Sequence, residues 1–312
     1  MAGRSSIPMP KMPARTDAIA DWTSWRPAHA VAARFVGWAV DTEGSSRSSA
    51  LIRIGLAMLF WSRWAGELLL YRDQSAIGLF LAANFFVATA LLFVGYQSRA
   101  AAVWAGSVGL VMYYYFGFQL GREPWTHHHT YLLAVAALLV ALTPCGRSYS
   151  LDRYLAVAHA ERMGVVPPAE RGNLWGLRLI VVQLSVLYFF AAFDKTSYAF
   201  LSGARIEQIF LWFYAGSDYP AGLAFPATIV SFGVVALEYG LALGLPFRAT
   251  RRYLILPGLA FHAIIYLTLP VYTFSATMAL LYLAYFDADA VDKIIARLQG
   301  IGPTPTARGE IP

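Results

Sequence analysis

Lys195 closes the run Phe189-Phe190-Ala191-Ala192-Phe193-Asp194-Lys195, an amine at the end of an otherwise apolar helix. A bilayer penalises a charged side chain by about 2.5–3.5 kcal/mol at its midplane, and by less toward its surface. An amine kept there points to proton chemistry, because a neutral amine desolvated among Phe189, Phe190 and Phe193 can accept a proton from a phenol. Snorkelling, in which the side chain bends its ammonium into water, is the plainer reading. Other residues bear on the choice. His127, His128 and His129 are consecutive, and on a helix they point about 100° apart, so they cannot ligate one metal together. His262 sits between Phe261 and Ala263, where a histidine bonded to a backbone carbonyl is the ordinary state. Glu238, flanked by Gly233, Gly240 and Gly244 that favour close helix packing, could pair with Arg53 or Arg178 merely to lock helices. Asp194 is a candidate partner of Lys195, although adjacent helical positions diverge.

These residues need elements to position them. The chain has 312 residues, 58% hydrophobic and 13% charged, against about 25% charged in a soluble domain. An all-α, polytopic membrane helix bundle is predicted. Spans of about 17–25 residues fall near 50–70, 75–95, 99–119, 129–144, 174–194, 225–246, 252–269 and 271–286, which makes eight, the fourth and the last two short. Pro270 separates the last pair, which could instead form one bent or re-entrant element. Residues 147–172, with Arg153, Arg162, Arg171 and Pro167-Pro168, predict a polar loop containing a short amphipathic helix. Ahead of the spans, residues 1–25 predict disorder and 28–40 a short interfacial helix. The chain is accordingly divided into a lead (1–34), a transmembrane domain (35–288) and a tail (289–312). No secretory signal precedes the first span.

Basic residues orient the bundle. With both termini cytoplasmic, seventeen of the 24 lysines and arginines fall on the cytoplasmic side and four, Arg72, Arg122, Lys195 and Arg205, outside. A multi-pass inner-membrane protein is expected, and this distribution accounts for the formal charge of +6 without nucleic acid. A single cysteine, Cys145, excludes a disulfide framework and a Cys-based metal site, and no metal is predicted. The sequence has no phosphate-cradling Gly-rich loop, GxSxG or HExxH. In this orientation His127–His129 open span four at the outer surface and Lys195 ends span five there. His262 lies about 10 Å below the outer end of span seven, and Glu238 deeper, toward the cytoplasmic half.

Four segments carry a family likeness by their order and spacing: Ala39-Val40-Asp41 leading to Ser48-Ser49-Ala50-Leu51-Ile52-Arg53; His127-His128-His129-Thr130-Tyr131-Leu132; Tyr188 through Lys195 with Phe200-Leu201-Ser202-Gly203; and Glu238 with Phe261-His262. Together they resemble the vitamin K-dependent gamma-carboxylase-like superfamily, whose membrane module is the HTTM (horizontally transferred transmembrane) domain. The resemblance covers about residues 35–288. It implies that Lys195 is the base that deprotonates a reduced, vitamin K-like quinone, with His129, at the motif histidine, and His262 orienting its oxygens. Arg53, Glu238 and Tyr188 are the implied pocket or structural residues. In that family oxygen then adds, and the strong base so formed removes a proton from a glutamate that captures carbon dioxide. Ala192 and Phe200 stand where the family has glycine and tryptophan. The chain is too short for the large extra-membrane region with which the full carboxylases recognise a propeptide. A small lipid-soluble substrate is therefore expected ahead of a secreted peptide. The alternative is a non-catalytic membrane protein, either a partner-binding component or a transporter whose pathway Arg53, Arg178, Glu238 and His262 would line.

Overall fold

The computed structural model describes residues 43–70, 73–215, 222–286 and 288–298, with 32–33 and 36–37. The chain divides into two units, Met1–Asp41 and Thr42–Pro312, and nearly all described residues belong to the second. The stretch 1–25, most of the predicted helix 28–40, Asp41, Arg72 and residues 299–312 lie outside the described residues.

Caps and breaks divide the apolar sequence into helices. The first, α1 (Arg47–Phe60), runs through a π-helical turn at Trp61–Ala65 into α2 (Gly66–Leu70). Helix α3 (Ala76–Val94) starts where the Ser75 hydroxyl accepts the Gly78 N–H at 3.0 Å, a usual N-cap. It stops at Gly95, whose φ of 72° is left-handed and favours glycine. A Cβ there would also meet Ser150 at 2.5 Å. Helix α4 (Ser98–Met112) continues as a π-helical segment to Gln119, and the one-turn α5 (Glu123–Thr126) precedes α6 (His128–Val140). Within the predicted polar loop lies α7 (Leu151–Met163), capped by the Ser150 hydroxyl and closed by left-handed Gly164. Helix α8 (Trp175–Lys195) leads to the short α9 (Tyr198–Leu201) and α10 (Ala204–Phe210). The chain ends with α11 (Ala224–Gly244), α12 (Arg248–Thr268), α13 (Tyr272–Leu281) with a 3-10 turn at Tyr282–Tyr285, and α14 (Ala288–Leu298).

Every segment predicted as a span is helical. Among the described residues four stretches, Ala76–Val94, Ser98–Gln119, Trp175–Lys195 and Ala224–Gly244, are long and apolar enough to cross a membrane. Their outward faces leave Phe80, Val186, Phe190 and Phe232 exposed, a surface that lipid rather than water must cover. The last pair is a hairpin, not one bent element. Across its turn Tyr266 meets Tyr272 at 5.3 Å and His262 meets Phe274 at 5.8 Å between ring centres.

Inside the bundle Trp64 stacks on Trp125 at 5.4 Å, with Phe60, Phe85 and Phe116 around them. Glycines let helices approach: a Cβ on Gly106 would meet the Ala134 carbonyl at 2.8 Å, and one on Gly176 the Leu139 carbonyl at 2.5 Å. Gly233 and Gly240, expected to do the same, face open space, and of that trio only Gly244 abuts a neighbour, Leu254. The reason is periodicity, since the buried face of α11 is Ala227, Ser231, Val235, Glu238 and Leu241. Two three-residue strands, β1 (Glu43–Ser45) and β2 (Arg171–Asn173), pair antiparallel with Gly44 opposite Gly172. Neither is foreseen in the sequence, because so short a run shows no alternation. The predicted tail begins as helix α14, whose Asp292 accepts from the Ser45 hydroxyl at 2.8 Å and pairs with Arg47 at 3.5 Å.

Chain direction gives the bundle two chemically distinct ends. The C-termini of α8 and α12 and the N-terminus of α6 share one, the lysine end. The N-termini of α4 and α8 and the C-terminus of α6 share the other, the arginine end.

Candidate functional site

The buried face of α8 steps through Leu177, Val181, Leu184, Tyr188 and Ala192, a spacing of three or four that continues to Lys195. The lysine is therefore aimed inward by the same periodicity that buries Tyr188 two turns below it. Its side chain does not snorkel. It folds back along α8, donating from Nζ to the Ala191 carbonyl at 3.2 Å and to both carboxylate oxygens of Glu238 at 3.0 Å. The Glu238 side chain is 6% exposed and that of Lys195 28%, so the acid is held by its amine within the protein. Neither Arg53 nor Asp194 is the partner. Phe189, Phe190 and Phe193, expected to desolvate the amine, are 40%, 61% and 63% exposed. They lie on the more exposed side of α8, Phe189 meeting Tyr239 of α11 at 5.7 Å between ring centres, and the group that meets the amine is the Glu238 carboxylate instead.

Below this pair lies a chain of hydroxyls and an imidazole. The Tyr188 hydroxyl meets His262 Nε2 at 2.5 Å and the Tyr282 hydroxyl at 2.8 Å. All three residues are 0–2% exposed. Tyr188 has one proton to donate, so its bonds fix each other's direction: if it donates to Nε2, it accepts from Tyr282, and the imidazole proton sits on Nδ1. Among the described residues that Nδ1 is buried without a partner, as is the Ser275 hydroxyl on the neighbouring α13. Gly258 makes room for the arrangement, since a Cβ there would fall on the Tyr282 hydroxyl. Tyr188 lies two turns below Lys195 on the same inward face of α8, which sets the two groups one above the other.

The histidine run divides. His128 meets Phe274, itself against His262, at 5.8 Å between ring centres, and it is in electrostatic range of Lys195. His129, expected at the motif position, turns away, stacking on His127 at 5.2 Å and feeling the charge of Arg63. Lys195, Glu238, Tyr188 and His262 are thus brought to one end of the bundle with His128 at its edge, and His129 points elsewhere. Among the described residues no group of three His, Cys, Asp or Glu side chains could hold a metal ion.

Arg53 belongs to the opposite end. Fully buried, it donates to the carbonyls of Cys145 at 3.1 Å, Phe93 at 2.8 Å and Tyr149 at 2.6 Å, and also to that of Leu92. It satisfies the last carbonyls of α3 and the turn after α6, where the thiol of Cys145 is buried too. Tyr282 belongs to none of the sequence motifs, and within the histidine run the resemblance favours His129 over His128. A signal for Tyr282 exists, because Ser275, Met278, Tyr282 and Tyr285 are buried at spacings of three and four, the stripe of one helical face.

The sequence model of the HTTM domain matches residues 74–289. The chain belongs to the HTTM domain family. The match takes in Lys195, Glu238, Tyr188, His262 and Tyr282, and it begins after the helix that carries Arg53. No curated protein and no solved structure matches this HTTM domain.

Proposed function

We propose that this HTTM domain is a membrane enzyme in which the Lys195–Glu238 pair takes a proton from a lipid-soluble phenolic substrate, a reduced quinone, in carboxylase-like or quinol-oxidising chemistry. The observation that carries the reading is the pairing of an inward-folded amine with a buried carboxylate, set above an imidazole with one unpartnered nitrogen. The residues suit such a ligand. Aromatic Phe274 could bear an apolar ring, and His262 Nδ1, the Ser275 hydroxyl and Lys195 Nζ could take its oxygens. When bound, a reduced quinone supplies an acidic O–H and two reducing electrons. The chain's part is to hold and move the proton: Lys195 Nζ receives it and Glu238, in direct contact, carries it onward. Tyr188 and Tyr282 fix the tautomer of His262 in the manner of an orienting partner.

In this reading the arginine end faces the cytoplasm of an inner membrane, with both termini on that side and the Lys195 site opening outward. Reporter fusions after Gly164 and Gly203 test it, and a cytoplasmic signal from the second fusion would reverse the orientation. The catalytic test uses protein in proteoliposomes with a menaquinol and dissolved oxygen as oxidant, read by quinone absorbance. Wild type is expected to oxidise the quinol, and Lys195→Arg, which keeps the charge but cannot give up its proton, is expected to be inactive at unchanged thermal stability. Full activity in Lys195→Arg sinks the proposal. The bidentate contact also favours a second reading, a static lock between α8 and α11. In that case no quinol turnover would be found in any form, wild type included.

A further inference from the structure

A second site lies at the arginine end. A cavity of about 720 Å³ opens between the start of α4, the turn after α6, the start of α7 and the loop entering α8. Arg99, Arg147 and Arg153 line it from three separate segments, with Asp152 the one acid among the lining residues. Arginines that serve only to orient a membrane protein need merely lie in its loops; here three are gathered around one concavity.

Backbone contacts hold each of them in place. Arg99 donates from Nε to the Ala141 carbonyl at 2.8 Å, Arg147 to the Arg171 carbonyl and Arg153 to the Pro168 carbonyl. A guanidinium carries five N–H donors in a rigid fork, so these bonds fix the side chains while leaving donors for an anion. Asp152 does not neutralise the cluster. Its carboxylate caps α4, accepting from the Gln97 and Ser98 amides at 2.7 and 2.8 Å and from the Ser98 hydroxyl at 2.7 Å. Glu170, next to Arg153 at 3.5 Å, is shared with Arg47 at 3.2 Å. The cavity wall is therefore net positive. Its rim is apolar, since Leu142 and Trp175 line it and are 43% and 40% exposed. Along α7, Tyr154 and Leu155 add exposed apolar surface, as expected of a helix lying in a membrane interface.

We propose that this cavity binds a phosphate group, whose pairs of oxygens match arginine forks, and that the apolar rim suits a phosphate carried by an anionic lipid. A phosphodiester headgroup and a soluble phosphate share that chemistry, and the experiment separates them. The full chain is placed in nanodiscs of phosphatidylcholine with or without phosphatidylglycerol, released into detergent and examined by native mass spectrometry, with inorganic phosphate as competitor. Wild type is expected to retain phosphatidylglycerol. Arg99→Gln and Arg147→Gln should each weaken retention about tenfold, and Ala156→Trp, which fills the cavity with its charges intact, should abolish it. If inorganic phosphate raises thermal stability in wild type but not in these variants, and phosphatidylglycerol adds nothing, the site stands with a soluble phosphate as its ligand. Equal retention in wild type and Ala156→Trp, or no response to either probe, overturns the proposal. Ala156→Trp and Arg147→Gln keep it falsifiable should Arg99→Gln fail to fold through loss of its contact to α6.

Discussion

The two ends of the bundle hold an inward-facing cation in opposite ways. Lys195 faces a carboxylate at 3.0 Å, whereas Arg53 is surrounded by four backbone carbonyls. The difference follows from the two side chains. A guanidinium stays charged and presents a rigid fork, which suits fixed acceptors at helix ends. An ammonium is a compact charge that can surrender its proton, and beside Glu238 it has an acceptor for it. One end is therefore architecture, and the other is the place of the proton chemistry proposed above.

Breaking the architectural end should cost most. Arg53→Met would leave four carbonyls without their donor, the two buried ones, of Leu92 and Cys145, at about 1–3 kcal/mol each, and should give the lowest thermal midpoint in detergent of these variants. A midpoint near wild type would mean that the contacts of Arg53 contribute little. At the lysine end, Glu238→Leu removes one partner of the pair. Such changes cost about 3–5 kcal/mol in a fully buried pair, and the partial exposure of Lys195 places the expected loss at the low end. Adding Lys195→Met should recover much of it, and additive losses in that double-mutant cycle would refute direct coupling. Gly258→Ala is expected to cost about 1–3 kcal/mol by overpacking, because its methyl displaces the Tyr282 hydroxyl. The same change should lower quinol oxidation by the proposed site, while Gly240→Ala, facing open space, changes neither.

The smallest effect belongs to Asp73, in the turn before α3. Its carboxylate accepts the Ser75 amide at 2.9 Å, and that bond holds it below the usual carboxylate range. A depressed value in the folded state stabilises the protein above the ordinary carboxylate pKa and ceases to do so as pH falls through the depressed one. Asp73→Asn should therefore lose slightly in midpoint at neutral pH and nothing at strongly acid pH. A constant difference across that range would exclude the titration as its cause.

Much of the bundle was legible in order along the chain. Apolar runs ending at Gly95 and Pro270 mark helix limits because caps and breakers act through the local backbone. Lys195 could be picked out for a similar reason: an ionisable residue in an apolar run is anomalous whatever surrounds it. The strand pair β1–β2 was not legible, since its partners are more than a hundred residues apart and too short to carry a pattern. The choice between His128 and His129 was also hidden, because neighbours on a helix differ only in azimuth, which packing against α13 decides.

Composition and hydrophobic runs by themselves determined that this chain is a membrane helix bundle, and that Lys195 ends one of its apolar helices, because hydrophobicity is a property of a segment alone. Tertiary structure alone decided that the lysine's partner is Glu238, that Arg53 serves the opposite end, and that Tyr282 joins His262 to Tyr188. Each of those outcomes depends on which helices lie side by side and at what height, and side-chain contacts only a few ångströms long respond to that placement and not to position in the sequence.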